Sequence, residues 1–227
     1  MTGLVPLLVR VGPLALGAAV SPTLLLVQML VLTRGPARLA RAWLYTLGAF
    51  LMTAVWMAVG IAAFSTAAHH AAPSAAARTT SGIVHVLAAG LLLMLAVKNF
   101  YVPEGEVAPD KVQPDDAAPH YLKALLLGVG LMASNITTVV LLLPATHEVA
   151  TSRAALSAKA AACAVLAVAA VLPALLPPLL VTLGGSKGRA ALDRLAGFMA
   201  RHQHRIGAVV CVAFALYLGI SGWAKLR

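Results

Sequence analysis

Apolar runs of about twenty residues recur along this chain, separated by loops that carry most of its charged residues. Twenty residues is roughly what a helix needs to cross a hydrocarbon core of about 30 Å. Of 227 residues, 61% are hydrophobic and 11% charged, whereas a soluble domain is about half apolar and about one quarter charged. One soluble core cannot absorb that excess. The runs are continuous rather than alternating, which argues against a membrane β-barrel. Six of them are predicted as spanning helices, at about 12–32, 39–64, 81–101, 121–143, 154–183 and 206–226. The fold class is therefore all-α: a polytopic membrane protein with six transmembrane helices.

A net charge of +10 raises the question of nucleic acid. The basic residues, however, flank the apolar runs instead of forming a patch, so they read as topology determinants and no nucleic-acid partner is expected. Eleven Lys and Arg fall on the side holding the loops after the first, third and fifth segments, against six on the other. That bias predicts both termini outside the cytoplasm. Cys163 and Cys211 lie in apolar runs without a CxxC pattern, so neither a disulfide framework nor a metal site is indicated.

Residues 102–119 interrupt this composition with four prolines, five carboxylates and a single Lys. Such a stretch cannot bury a core and is expected to be an acidic, Pro-rich cytoplasmic linker. It divides the chain into a three-helix unit at 1–101 and a second at 120–227. The units resemble each other: Gly17-Ala-Ala-Val-Ser21-Pro22-Thr23 can be laid on Gly130-Leu-Met-Ala-Ser134-Asn135-Ile136. Three spans per unit make the second enter the membrane inverted, and two inverted three-helix repeats are a mark of secondary transporters.

Pro22 lies inside the first run, where it removes a backbone hydrogen bond and clashes with the preceding turn. Polar groups freed in lipid must be satisfied by protein or by a polar cavity. Ser134 and Asn135 are the counterpart in the fourth run, and the spacing 134, 137, 138 predicts that Ser134, Thr137 and Thr138 share a helix face. Ser21, Pro22, Thr23, Ser134, Asn135, Thr137 and Thr138 are thus candidates for a midplane substrate site. The competing reading is that the hydroxyls and Asn135 hold helices together. Gln28 either lines the same path or bonds a neighbouring helix. Thr46, Thr53 and Gly60 recur every seven residues as a packing stripe, and Pro144, Pro173, Pro177 and Pro178 are expected to kink their helices.

Taken with these boundaries, all seven Asp and Glu fall in the linker, in loops or near Arg194. No carboxylate is then expected inside a span, which argues against a cation pump and suits an anionic, hydrophobic cargo. His85, in the third run, is the buried titratable candidate, either as a proton relay or as a hydrogen-bonded structural histidine. Segment 187–205 is amphipathic: Leu192, Leu195 and Met199 share one face, while Arg189, Arg194, Arg201 and Arg205 can reach lipid headgroups. It is predicted as a cytoplasmic interfacial helix, with a protein partner as the rival. No nucleophile–base pair and no carboxylate cluster is visible, so no catalytic residue and no cofactor is expected.

Gly17–Pro22 in the first helix, Arg34–Arg41 before the second, Gly128–Asn135 in the fourth, and Leu192-Asp-Arg-Leu-Ala-Gly-Phe-Met-Ala-Arg-His202 before the last together resemble the peptidoglycolipid-addressing proteins. That family includes sulfolipid-addressing members and belongs to the lysine exporter superfamily. The resemblance covers nearly the whole chain. It implies a bacterial inner-membrane transporter or export-accessory protein that moves a lipid, glycolipid or other amphiphile to the cell envelope. It also implies that the first and fourth helices are the broken pair. The family pattern there is Asn-Pro, whereas Ile136 follows Asn135 here. Membrane lipids are the expected partners, with lipid-synthesis or export proteins and self-association as further options. The alternatives are a small-solute exporter of the same superfamily, or a membrane scaffold subunit that transports nothing.

Overall fold

A computed structural model describes residues 3–33, 37–70, 75–101 and 121–226; the acidic linker expected at 102–119 lies outside them. Seven helices follow in order: α1 (Leu4–Ala18), α2 (Pro22–Thr33), α3 (Arg38–His70), α4 (Ala75–Tyr101), α5 (Tyr121–Ala133), α6 (Ile136–Thr151) and α7 (Leu156–Leu226). No strand occurs among the described residues. Four stretches are individually long and apolar enough to cross a membrane: Arg38–Ser65, Ser81–Tyr101, Leu156–Gly185 and His204–Leu226. The pairs α1–α2 and α5–α6 raise the number to six when each is taken as one span, bent by 54° and 66° respectively.

Exposed and buried sides separate along α3 and α4. On α3, Leu47, Leu51, Val55 and Val59 are exposed at helical spacing, as are Ile83, Leu87, Leu91 and Met94 on α4. Rows of large apolar side chains like these would aggregate in water and are at home against acyl chains. The opposite faces carry small residues: Ala88, Ala89 and Ala96 of α4, Ala162, Ala170 and Ala174 of α7, and Ala208 and Ala215 near its end are all buried. With no hydrophobic drive between helices in lipid, such residues bind by letting backbones approach. Helices α3 and α5 approach closely in this way. A side chain on Gly48 would overlap the Leu125 carbonyl oxygen, and one on Gly128 would overlap that of Tyr45.

Fully extended, the 71 residues of α7 would run for roughly 105 Å, several times a bilayer. The chain reverses at Gly185, whose φ of +52° and ψ of −125° suit only a residue without Cβ. Helical dihedral angles continue through Pro173, Pro177 and Pro178, and the one non-helical residue inside α7 is Gly185. One carbonyl that a proline leaves unbonded finds another donor. Pro178 cannot donate to Ala174, and the Thr46 hydroxyl does so instead at 2.9 Å.

Two boundaries differ from the sequence reading. The first broken span begins at Leu4 rather than near residue 12, and the second continues through Pro144 to Thr151 rather than ending at 143. A bent helix covers less depth per residue, so each pair uses about thirty residues where a straight span needs about twenty.

Candidate functional site

The two breaks meet. Helix α1 closes with Ala19 N–H donating to the Ala15 carbonyl at 3.0 Å and Val20 N–H to that of Gly17 at 3.1 Å. Pro22 then opens α2, at the first helical position, where a missing N–H costs nothing. Ser21 caps this helix through its carbonyl, which accepts from Leu25 N–H at 3.3 Å. In the second break Asn135 is the N-cap of α6, its Oδ1 accepting from Thr138 N–H at 3.3 Å. Asparagine is among the best N-caps, so this helix restarts without the proline of the family pattern. Across the break, Asn135 Nδ2 donates to Ser21 Oγ at 2.9 Å. The two caps are bonded to one another.

Around that contact lies a cavity of about 180 Å³. Ser21, Pro22 and Thr23 line it from the first break, Asn135 and Thr137 from the second, Asn99 from α4, and His204 and Gly207 from α7. The His204 Nε2 atom is buried and has no hydrogen-bond partner. Both α2 and α6 present their N-termini here, where unbonded N–H groups and the helix dipole favour negative charge. The cavity therefore offers neutral donors and two positive dipole ends around a space the size of a small polar group.

A family model described as "Sap, sulfolipid-1-addressing protein" matches residues 11–224. This chain belongs to that family. No curated protein and no solved structure matches it. The sulfolipid-1-addressing match contains both breaks and every cavity residue, while Arg10 and Lys225 fall just beyond its ends.

Of the eight residues put forward for the substrate site, five line the cavity: Ser21, Pro22, Thr23, Asn135 and Thr137. Three do not. Gln28 is wholly buried and joins α2 to α3, its Nε2 donating to the Ala42 carbonyl at 2.9 Å and to Thr46 Oγ1 at 3.3 Å. Ser134 is exposed and bonds back to the Leu131 carbonyl at 3.1 Å. Thr138 is buried beneath the cap. The shared face expected for residues 134, 137 and 138 is absent because the helix breaks between Ser134 and Ile136. Asn99 and His204 were not anticipated. Both sit near ends of predicted spans, where polar residues are ordinary, so only the bend of the two pairs toward them gives a signal.

The amphipathic face of segment 187–205 also behaves differently from expectation. Leu192 packs on Leu25 and Met29 of α2, with Leu180, Val181, Leu195 and Met199 around it. The reversal at Gly185 folds the segment back onto protein, so this face is not left free for lipid. Arg194, Arg201 and Arg205 remain exposed, and the side chain of Arg189 lies outside the described residues.

A charged group lies inside the helical bundle. Glu148, placed in a loop by the sequence boundaries, is buried on α6 with 8% of its surface exposed. It forms an ion pair with Lys225 of α7, and Arg10 of α1 lies 3.7 Å from its other oxygen. His85, 2% exposed, is part of the same group, with Nε2 3.7 Å from the Glu148 carboxylate and 3.3 Å from Lys225 Nζ. The expectation of no carboxylate inside the helical bundle is overturned, and with it the argument from absent carboxylates to an anionic cargo.

Proposed function

We propose that this protein is a membrane transporter or export-accessory protein that passes the headgroup of an anionic lipid, glycolipid or other amphiphile toward the cell envelope, without a catalytic step. The observation that carries the reading is the Asn135–Ser21 hydrogen bond, which joins two helix breaks around a polar cavity. Broken helices that aim their N-termini at one point are how transporter folds hold anionic groups. Membership of the sulfolipid-1-addressing family supports lipid as the cargo class. Pockets that enclose drug-sized ligands run from about 300 Å³ upward, so a cavity of about 180 Å³ takes a headgroup and leaves acyl chains in the bilayer. In this reading the protein sits in a bacterial inner membrane with both termini outside. The two halves work as inverted repeats of the lysine exporter type, and exposed Arg194, Arg201 and Arg205 meet anionic lipid on the cytoplasmic face. A lipid-synthesis or export protein, or a second copy, would be the protein partner.

The same small volume favours one other reading, an exporter of a small anionic solute. Envelope lipids of a deletion strain, compared with those of strains complemented by intact or Asn135→Ala protein at matched levels, separate the two. Lipid export predicts a lipid retained inside the deletion strain and restored by the intact protein alone. An unchanged lipid profile refutes it and directs the search to solute efflux.

A further inference from the structure

We propose that Glu148, closed by Lys225 and flanked by His85, is a proton-binding site that latches the end of the bundle opposite the cavity. Proton entry opens the latch. The latch serves the export cycle proposed above and to that extent rests on it, but proton binding and opening are properties of the protein alone.

Four helices meet at this carboxylate. Lys225 of α7 donates to Glu148 Oε1 and, at 3.0 Å, to Ser81 Oγ of α4. Arg10 reaches Glu148 Oε2 from α1. His85 of α4 stands with Nδ1 2.7 Å from the Ser81 carbonyl. A carbonyl only accepts, so Nδ1 carries the hydrogen, and in the neutral ring Nε2 turns its lone pair toward Lys225 and Glu148. From α6 itself His147 adjoins the carboxylate, with Nδ1 buried and unpartnered and its ring edge-on to Phe64 of α3 at 4.9 Å. Tyr217 of α7 lies within electrostatic reach. Two groups able to take a proton, Glu148 and His85, thus face each other across 3.7 Å. Among the described residues no three His, Cys, Asp or Glu gather as metal ligands, and an ammonium already fills the carboxylate's cation position. The ligand this geometry fits is a proton.

The placement gives the site its role. Arg10 is on α1 and Glu148 on α6, the limbs of the two broken spans that lie beyond each break from the α2 end at Thr33 and the α5 start at Tyr121. Along α4, fourteen residues separate His85 from cavity-lining Asn99, roughly 20 Å of helix. The cavity thus lies toward one face while the ion group ties the limbs together toward the other. The carboxylate is buried, but the Lys225 side chain is 30% exposed and that of Arg10 70%, which leaves a polar route inward. When hydronium delivers one proton to the Glu148 carboxylate, an O–H bond forms there as one breaks in the hydronium, which leaves as water. The carboxyl is then neutral and its ionic hydrogen bond with Lys225 is lost. Lys225 and Arg10 then lose their common counter-ion, and two positive groups are left facing each other across the ends of α1, α6 and α7. Return of the proton restores the pair and closes the latch.

The test uses the purified full chain in lipid. Infrared difference spectra between about pH 2 and pH 8, a range that covers ordinary carboxylate and imidazole titrations with room on the acid side, should show a protonated-carboxyl band that is absent from Glu148→Gln. Spin labels at Val9→Cys and Ile220→Cys, with Cys163→Ala and Cys211→Ala, should report a longer distance at the acid end. In Glu148→Gln that distance should be long at every pH, and in Glu148→Asp it should again follow pH. Should Glu148→Gln fail to fold, Lys225→Gln serves instead: losing the ammonium should bring the band up at an about tenfold lower proton concentration. No Glu148 band in the intact protein, or a distance indifferent to pH, overturns the proposal. Neither measurement needs cargo. A silent Glu148 with an intact lipid phenotype therefore removes the latch alone, and a working latch with unchanged envelope lipids removes lipid export alone.

Discussion

Replacing Asn135 tests whether the two helix breaks are held by one side chain. Its Oδ1 caps α6 and its Nδ2 bonds Ser21 Oγ. Loss of an N-cap costs about 1 kcal/mol. Loss of a neutral hydrogen bond that leaves a buried hydroxyl without its donor costs about 1 kcal/mol more, and Ser21 is only 8% exposed. Asn135→Ala should therefore destabilise the fold by about 2 kcal/mol, a factor of about 30 in the folding equilibrium. Asn135→Ser keeps a good cap but is too short to reach Ser21, so it should lose about half as much. Asn135→Asp caps equally well, can accept from the Ser21 hydroxyl, and sets a negative charge between two helix N-termini. It should come close to the intact protein. Reversible unfolding in mixed detergent micelles, followed by helix content, orders the four proteins. If alanine matches the intact protein, the bridge is not made in the membrane; if serine is as poor as alanine, the cap is not what Asn135 contributes.

Other consequences are equally open to measurement. Gly128→Leu should block packing of α5 on α3, because even a Cβ would overlap the Tyr45 carbonyl oxygen; poor recovery of folded protein after gentle extraction is the expected readout, and normal yield would refute the contact. Thr46→Val should cost about 1 kcal/mol by stranding the Ala174 carbonyl. In a Pro178→Ala background, where residue 178 can bond that carbonyl itself, a double-mutant cycle should show most of the cost gone. Removing either partner of the Lys225–Glu148 pair should destabilise by about 3 kcal/mol, at the lower end for buried pairs because Lys225 is partly exposed. The paired change Lys225→Met with Glu148→Gln should cost less than the sum of the two, and strict additivity would show that the pair is not formed.

The first break was legible in the residues because Pro22 cannot continue a helix. The second was implied only by the family resemblance: by spacing alone residues 134, 137 and 138 read as one continuous helix face, and the capping role of Asn135 is visible only in the structure. Continuous apolar runs made the spanning helices legible. Side-chain partners across helices were not legible: Gln28 reads equally well as cavity lining or as the α2–α3 bond it makes, since only the register between helices decides. Segment 187–205 kept its amphipathic pattern, but the pattern does not say whether lipid or α2 covers the apolar face. That depended on Gly185, whose backbone angles no pattern reveals.

The misplacement of Glu148 follows from the breaks themselves. A straight span starting at Tyr121 would reach the far face near residue 143, leaving His147 and Glu148 outside. With a 66° bend between α5 and α6, the same depth requires the chain to continue to Thr151, and those two residues are drawn between helices. The 54° bend of the first span acts alike, lengthening it back to Leu4 and placing Arg10 in mid-helix, within reach of the carboxylate. An ionisable side chain among apolar helices is tolerated only with a partner, and here each broken span brings one member while α7 brings Lys225. The bends that open the polar cavity at Ser21 and Asn135 are thus the geometric cause of the charged group beyond it. A variant that straightens α5–α6 should therefore disturb both. Asn135→Leu, which removes the cap and favours a continuous helix, is expected to alter the infrared signature of Glu148 as well as the cavity. An unchanged Glu148 spectrum in a straightened protein would separate the two sites.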